Sequence, residues 1–307
     1  MPPDGTARLP NRPRLWQTLL AFATIYLVWG STFLAIRIGV HEVPPFLLAA
    51  MRFLLAGGVM VGWMRARGVA LPSGREWRSA FLVSVPIFLL NYGLVFWAET
   101  RIDSGVTAVM QAMIPLFMVL AEITMLGTQR MSWRLGAGLA MGLAGVVVLT
   151  SDSLGLGGVA VDRVSAAALL VASFSWSVGS VLTRKVPLPA SKAMSSGAQM
   201  LAGGMWLAVA ALVLGETRGF DPGAVSAGAW VALLYLVVAG SIAAFTAYIW
   251  LLSNDSPTRV GTYAYVNPVV AVLLGYFAAG EAIGPRTVAG MACVLLSVLM
   301  ITTMRKP

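Results

Sequence analysis

Ten apolar runs, each long enough to cross a bilayer or nearly so, occupy most of this chain and decide what it can fold into. They lie at 15–38, 45–64, 77–98, 105–126, 132–150, 165–183, 193–214, 227–252, 260–279 and 285–304. A membrane-spanning helix needs ~20 apolar residues at 1.5 Å rise each. Only a helix or a closed barrel satisfies its backbone hydrogen bonds in lipid. The runs are too long for barrel strands, so the expected fold is an all-α polytopic membrane protein of ten transmembrane helices. Charged residues make up 11% of the 307 positions and hydrophobic ones 58%. A water-soluble domain carries roughly 25% charged residues. Residues 1–14 read as a polar tail, and the first run is too long for a cleaved signal peptide.

The scarce charges report topology. With the N-terminus placed in the cytoplasm, 15 Lys and Arg fall in inner loops and tails. Five fall in outer loops: Arg37, Arg101, Arg163, Arg218 and Arg286. This asymmetry follows the positive-inside rule across all ten runs and predicts that both termini are cytoplasmic. The net charge of +9 is therefore an orientation signal, and nucleic acid is not an expected partner.

An internal repeat is visible. Trp77 and Trp230, Trp97 and Trp250, and Pro115 and Pro268 each stand 153 positions apart. Trp29 precedes Arg37 by eight positions, as Trp176 precedes Arg184, and Ala56-Gly57-Gly58 returns as Ala202-Gly203-Gly204. The chain divides into a tail, 1–14, and two five-helix repeats, 15–155 and 156–307. Five helices per repeat invert the second copy, a construction of secondary transporters that bind substrate near the midplane.

Trp29-Gly30-Ser31-Thr32-Phe33 with Arg37, Ala50-Met51-Arg52-Phe53, Pro115, Trp176 with Arg184, Asn267-Pro268 and Gly280-Glu281 occur in an order that resembles the EamA-type family of the drug/metabolite transporter superfamily. The resemblance covers nearly the whole chain. It implies an exporter of amino acids, other metabolites or drugs, and the overall similarity is greatest to bacterial exporters of aromatic amino acids.

The residues support that expectation without an enzyme signature. There is no phosphate-binding Gly-x-x-x-x-Gly-Lys and no His-Glu-x-x-His. One Cys, Cys293, and one His, His41, are too few for a zinc site, and no cofactor or metal is expected. Away from the helix ends, Arg52 and Glu122 are the charged residues inside the predicted helices. Arg52 meets either a substrate carboxylate or a structural partner, such as a helix-end carbonyl, Glu42 or Asp103. The resemblance, which places this Arg near an outer helix end, favours the structural role. Glu122 either reaches water, pairs with Arg130 or Arg134, or couples protons.

Thr107, Gln111, Met118 and Glu122 follow one face of the fourth run. Gln111 serves either an amino-acid substrate or a neighbouring helix. Ser241, Phe245 and Tyr248 form a stripe that the 153-residue offset maps onto Phe88, Tyr92 and Val95. With Trp176, Tyr265 and Asn267 near the midplane, and Trp97 closer to an outer end, these residues make the expected substrate-binding set. Trp16, Trp63, Trp77, Trp133 and Trp230 read as interface anchors. Gly58 and Gly62, like Gly138 and Gly142, are spaced for close helix packing.

Pro115 and Pro268 are expected hinges of alternating access, because each interrupts a helix. The first run holds no Asp or Glu. That favours export of aromatic or neutral amino acids, or related metabolites, over proton-coupled export of drug cations. The expected partners are a small-molecule substrate and the bilayer, with the chain a monomer or a weak homo-oligomer.

Overall fold

A computed structural model describes residues 15–127, 132–150, 161–254 and 263–302. The tail, the loop positions of Arg130 and Arg259, and the boundary expected at 155/156 lie outside the described residues. The described chain is helical throughout. Its elements are α1 (Leu15–Val40), α2 (Pro45–Ala66), α3 (Gly74–Ser84), a π-helical segment (Val85–Tyr92), α4 (Gly93–Ala98), α5 (Ser104–Gln111), α6 (Ile114–Leu126), α7 (Trp133–Thr150), α8 (Arg163–Leu182) and α9 (Lys192–Val213). After a short 3-10 turn come α10 (Ala227–Tyr235), a second π-helical segment (Leu236–Ala243), α11 (Ala244–Asn254), α12 (Tyr263–Ala279) and α13 (Pro285–Thr302).

Seven helical units among the described residues are long and apolar enough to span a bilayer, including Gly74–Ala98, Ser104–Leu126 and Ala227–Tyr248 as continuous units. Three shorter apolar helices, Trp133–Leu149, Val266–Ala279 and Pro285–Ser297, occupy the remaining predicted runs. The chain is a multi-pass membrane protein.

Lipid gives helices no hydrophobic reason to associate, so close backbone approach has to supply the attraction. The broad contact between α2 and α9 shows this. A Cβ on Gly57 would stand 2.5 Å from the Leu201 nitrogen, and one on Gly204 would stand 2.7 Å from the Leu54 nitrogen. The predicted packing role of Gly58 and Gly62 is not met, since a Cβ at either would meet nothing within 4 Å. The contact face is rotated one residue, onto Gly57.

Helix ends are satisfied across the bundle by carboxylates, which the positive N-terminal dipole favours. Glu42 accepts from the backbone and hydroxyl of Ser226, each at 2.6 Å. Glu216 accepts from the Leu47 backbone at 2.9 Å. Glu281 accepts from the Ser104 backbone at 2.9 Å, its hydroxyl at 2.7 Å and the Gly105 backbone at 3.1 Å. The Glu281 contact needs a glycine behind it, because a Cβ on Gly275 would lie 2.2 Å from Oε2. These contacts gather the ends of α1, α9 and α12 and the starts of α2, α5 and α10 at one end of the bundle.

Adjacent glycines should therefore respond differently to alanine. Gly57→Ala forces two backbones apart and should destabilise the purified protein by the ~1–3 kcal/mol typical of overpacking, lowering its thermal unfolding midpoint. Gly58→Ala should leave it unchanged or raise it, since helical glycine costs ~0.5–1 kcal/mol relative to alanine. Equal midpoints for the two variants would refute this placement of the α2–α9 contact.

Candidate functional site

Arg52, the eighth residue of α2, is 2% exposed. A buried guanidinium needs hydrogen bonds and polarisable neighbours to offset lost hydration. Its Nε donates to the Ser241 hydroxyl at 2.9 Å, and that hydroxyl donates to the Leu236 carbonyl at 2.9 Å. The guanidinium carbon lies 4.8 Å from the Phe53 ring centre and 5.3 Å from that of Tyr92, a cation–π arrangement. Nη1 has no hydrogen-bond partner among the described residues. Of the structural partners expected for Arg52, Glu42 caps Ser226, and Asp103 stands 3.7 Å from Arg37. A hydroxyl and two rings take their place.

The second π-helical segment makes this contact possible. Its wider turn lets Ser241 bond a carbonyl five residues back and brings Gly240 against α2, where a Cβ would stand 3.2 Å from Nη2 of Arg52. Such segments are frequent at functional positions. The equivalent segment in the first half, Val85–Tyr92, contains Pro86 and carries Phe88 and Tyr92. Asn91 anchors it by donating to the Ala172 carbonyl of α8 at 2.9 Å.

Aromatic rings extend in both directions from Arg52. On one side Phe53 meets Phe88 at 4.8 Å and Tyr92 at 4.6 Å, and Tyr92 meets Trp176 edge-on at 5.7 Å. On the other, Trp29 donates from Nε1 to the Gly240 carbonyl at 3.1 Å. Its ring meets Phe245 at 6.1 Å, Tyr248 at 5.2 Å and Tyr263 at 5.0 Å. Phe88, Tyr92, Trp176, Ser241, Phe245 and Tyr248 thus belong to one seam built from both halves of the chain. Trp29, Phe53 and Tyr263 complete it and were missed as site residues. Trp29 and Phe53 were visible within their motifs, and only the fold shows that they face the seam.

The remaining sequence candidates are placed elsewhere. Gln111 is buried, and its side-chain oxygen accepts from the Ser173 hydroxyl of α8, the interhelical alternative. Trp97 is half-buried under the Arg101 guanidinium, 4.3 Å from its ring, near the end of α4. Asn267 is buried, with its amide nitrogen facing the Tyr26 and Tyr263 carbonyls at 3.2 Å each. The side chain of Tyr265 lies outside the described residues. Glu122 pairs with Arg184 at 2.7 Å, and Arg130, one of its expected partners, lies outside the described residues. Pro268 lies inside α12, as expected. Pro115 instead sits in the first turn of α6, just past a break at Ala112–Met113. A proline is tolerated there because first-turn N–H groups have no intrahelical acceptor.

Two arginines close the two ends. Arg37, in the last turn of α1, donates to the Glu99 carbonyl and faces Asp103. Arg184, just past α8, binds Glu122 of α6, and Lys185 donates to the Met125 carbonyl. At the Arg37 end a cavity of about 460 Å³ is lined by Leu34, Arg37, Ile38, His41, Asp103 and residues 279–282. Glu99, one residue past the expected run 77–98, lies beside this end fully buried.

The described structure thus places a seam of rings around the buried Arg52, with Arg37 and Arg184 in polar contacts at helix ends. The EamA-like transporter family matches residues 16–151 and 164–303. YedA of Escherichia coli (strain K12), described as an uncharacterized inner membrane transporter, is 35% identical over 284 residues, covering 92% of this chain and 89% of its own. An uncharacterized transporter of Archaeoglobus fulgidus is 28% identical, covering 86% of this chain and 90% of its own. A solved crystal structure aligns with a TM-score of 0.60 and 26% identity, over 94% of this chain and 97% of that one. The chain is a member of the EamA-like transporter family.

Proposed function

We propose that this protein exports aromatic and other neutral amino acids, or related metabolites, across the bacterial inner membrane by alternating access. The observation that carries this reading is the aromatic seam around Arg52 and Ser241, to which both halves contribute. Rings offer flat apolar walls that stack on aromatic side chains. The unpartnered Nη1 of Arg52 offers a charge-assisted hydrogen bond to a carboxylate. A cation at the centre of the seam opposes the alternative, a proton-coupled exporter of drug cations.

In this reading residues 15–155 and 156–307 are inverted repeats with both termini in the cytoplasm, and the Arg37 end faces outward. The halves rock about the seam. Pro268, within α12, and the break before Pro115 are their hinges. The inner-membrane location is supported by the likeness to YedA and by the apolar spans.

Proteoliposomes holding the purified protein test the substrate class. Labelled Trp should enter and be displaced by Phe, with or without a pH gradient. Ethidium transport that requires a pH gradient, with no Trp transport, would overturn the reading.

Arg52→Gln should weaken Trp binding by about tenfold or more, the ~1.5–3 kcal/mol of a hydrogen bond to a charged group. Tyr92→Leu should weaken Trp binding more than Thr binding. Unchanged Trp affinity in both variants would remove Arg52 and Tyr92 from the site. Pro115→Ala and Pro268→Ala should slow exchange while leaving Trp affinity intact, and normal rates in both would remove the hinge role.

A further inference from the structure

Glu99 plays no part in the transport reading, yet its placement is costly. It follows the last residue of α4, where unpaired carbonyls give the helix end a partial negative charge that disfavours an anion. Its side chain is fully buried, and neither carboxyl oxygen has a hydrogen-bond donor among the described residues.

Neither nearby cation donates to its carboxyl oxygens. Arg37, from α1, donates to the main-chain carbonyl of Glu99 and faces Asp103. Arg52, from α2, donates to Ser241. Tyr92, seven residues earlier on the same span, lies about 10 Å away along the helix at 1.5 Å per residue. Asp103 and Glu281 are the acidic neighbours, and Glu281 is held by the start of α5. A carboxylate without a partner in this position is far less stable than a neutral carboxyl. Burial pushes Glu99 well above the usual carboxylate range, Glu281 adds to the rise, and Arg37 and Arg52 oppose it. Burial and Glu281 also push Asp103 up, against the pull of Arg37.

We propose that Glu99 is a proton-binding site that sets the equilibrium of the Arg37 end: neutral while that end is closed, ionised when it opens to water. On closing, the carboxylate takes one proton from a hydronium ion and releases one water molecule. On opening, the proton returns to water at the same face. Protons therefore tune the gate without crossing the membrane.

The direction follows from linkage. The closed state holds the higher proton affinity, so it is fully favoured below the open-state value. That advantage is lost as pH rises through the closed-state value. Alkaline conditions should open the Arg37 end. Glu99→Gln, permanently neutral, should hold it closed at every pH.

The proposal rests on the alternating access proposed above; two measurements on the full-length protein in liposomes test it, and neither needs a transported substrate, so their failure is distinguishable from failure of the substrate assignment. Infrared difference spectra at neutral pH should show a protonated carboxylic acid band that Glu99→Gln removes and Glu99→Asp retains. Only carboxylate bands would overturn the proposal.

Spin labels on His41→Cys and Ala282→Cys, with Cys293→Ala, report the width of the cavity. The long-distance population should grow several-fold from acidic to alkaline buffer, and not at all when Glu99→Gln is added. No growth in the parent, or equal growth in both, would overturn it.

Discussion

A bilayer interior supplies no hydrogen bonds, and most of the structure follows from that constraint. Each polar group carried into the membrane must find its partner within the protein. Most do so through nearby carbonyls. Ser177 donates to Ser173 and Ile114 at 2.8 and 3.0 Å, Asn91 to Ala172, and Trp206 to Phe81 at 3.1 Å. The carboxylates of Glu42, Glu216 and Glu281 go to helix starts, where backbone donors and the dipole both favour them. Against that background, groups left without a partner stand out. Nη1 of Arg52 and the carboxyl of Glu99 are among them. One lies at the centre of the aromatic seam, and the other guards one end of it.

The same constraint explains how two halves form one pathway. Where association rests on close packing, the closest contacts fix the geometry. The α2–α9 contact at Gly57 and Gly204 joins the halves and sets the height and rotation of Arg52. The π-helical segments Val85–Tyr92 and Leu236–Ala243 then turn Tyr92 on one side, and Ser241 on the other, toward that guanidinium. Arg37 and Arg184 each end a helix near the mouth of the seam, and each finds an acid, Asp103 or Glu122.

Much of this was legible in the sequence because membrane helices have long, strong periodicities. The apolar runs gave the spans, and the 153-residue offset pointed to the stripes that became the seam. What failed was local. Glu99 lies one residue beyond the predicted end of its run, although the chain buries that turn. Packing by Gly58 was assigned one residue out of phase, which is 100° on a helix and enough to exchange a buried face for an open one, whereas the assignment of Gly142 holds, since a Cβ there would stand 2.7 Å from the Met113 sulfur. The partners of Arg52 and Glu122 were sought among charges near in sequence. The fold supplied a hydroxyl 189 residues away for one and an arginine 62 residues away for the other. Pro115 marked a real interruption of its span, but the break lies just before it, since a proline in a first turn forces no loss of hydrogen bonding.

The central claim is that the Arg52–Ser241 contact lies on a path reached alternately from both faces of the membrane. Thiol labelling tests it most directly. With Cys293→Ala removing the native thiol, Ser241→Cys should react with a membrane-impermeant reagent applied from either face, and Trp should slow the reaction from both. Reaction from one face alone, or from neither, would contradict alternating access through this seam.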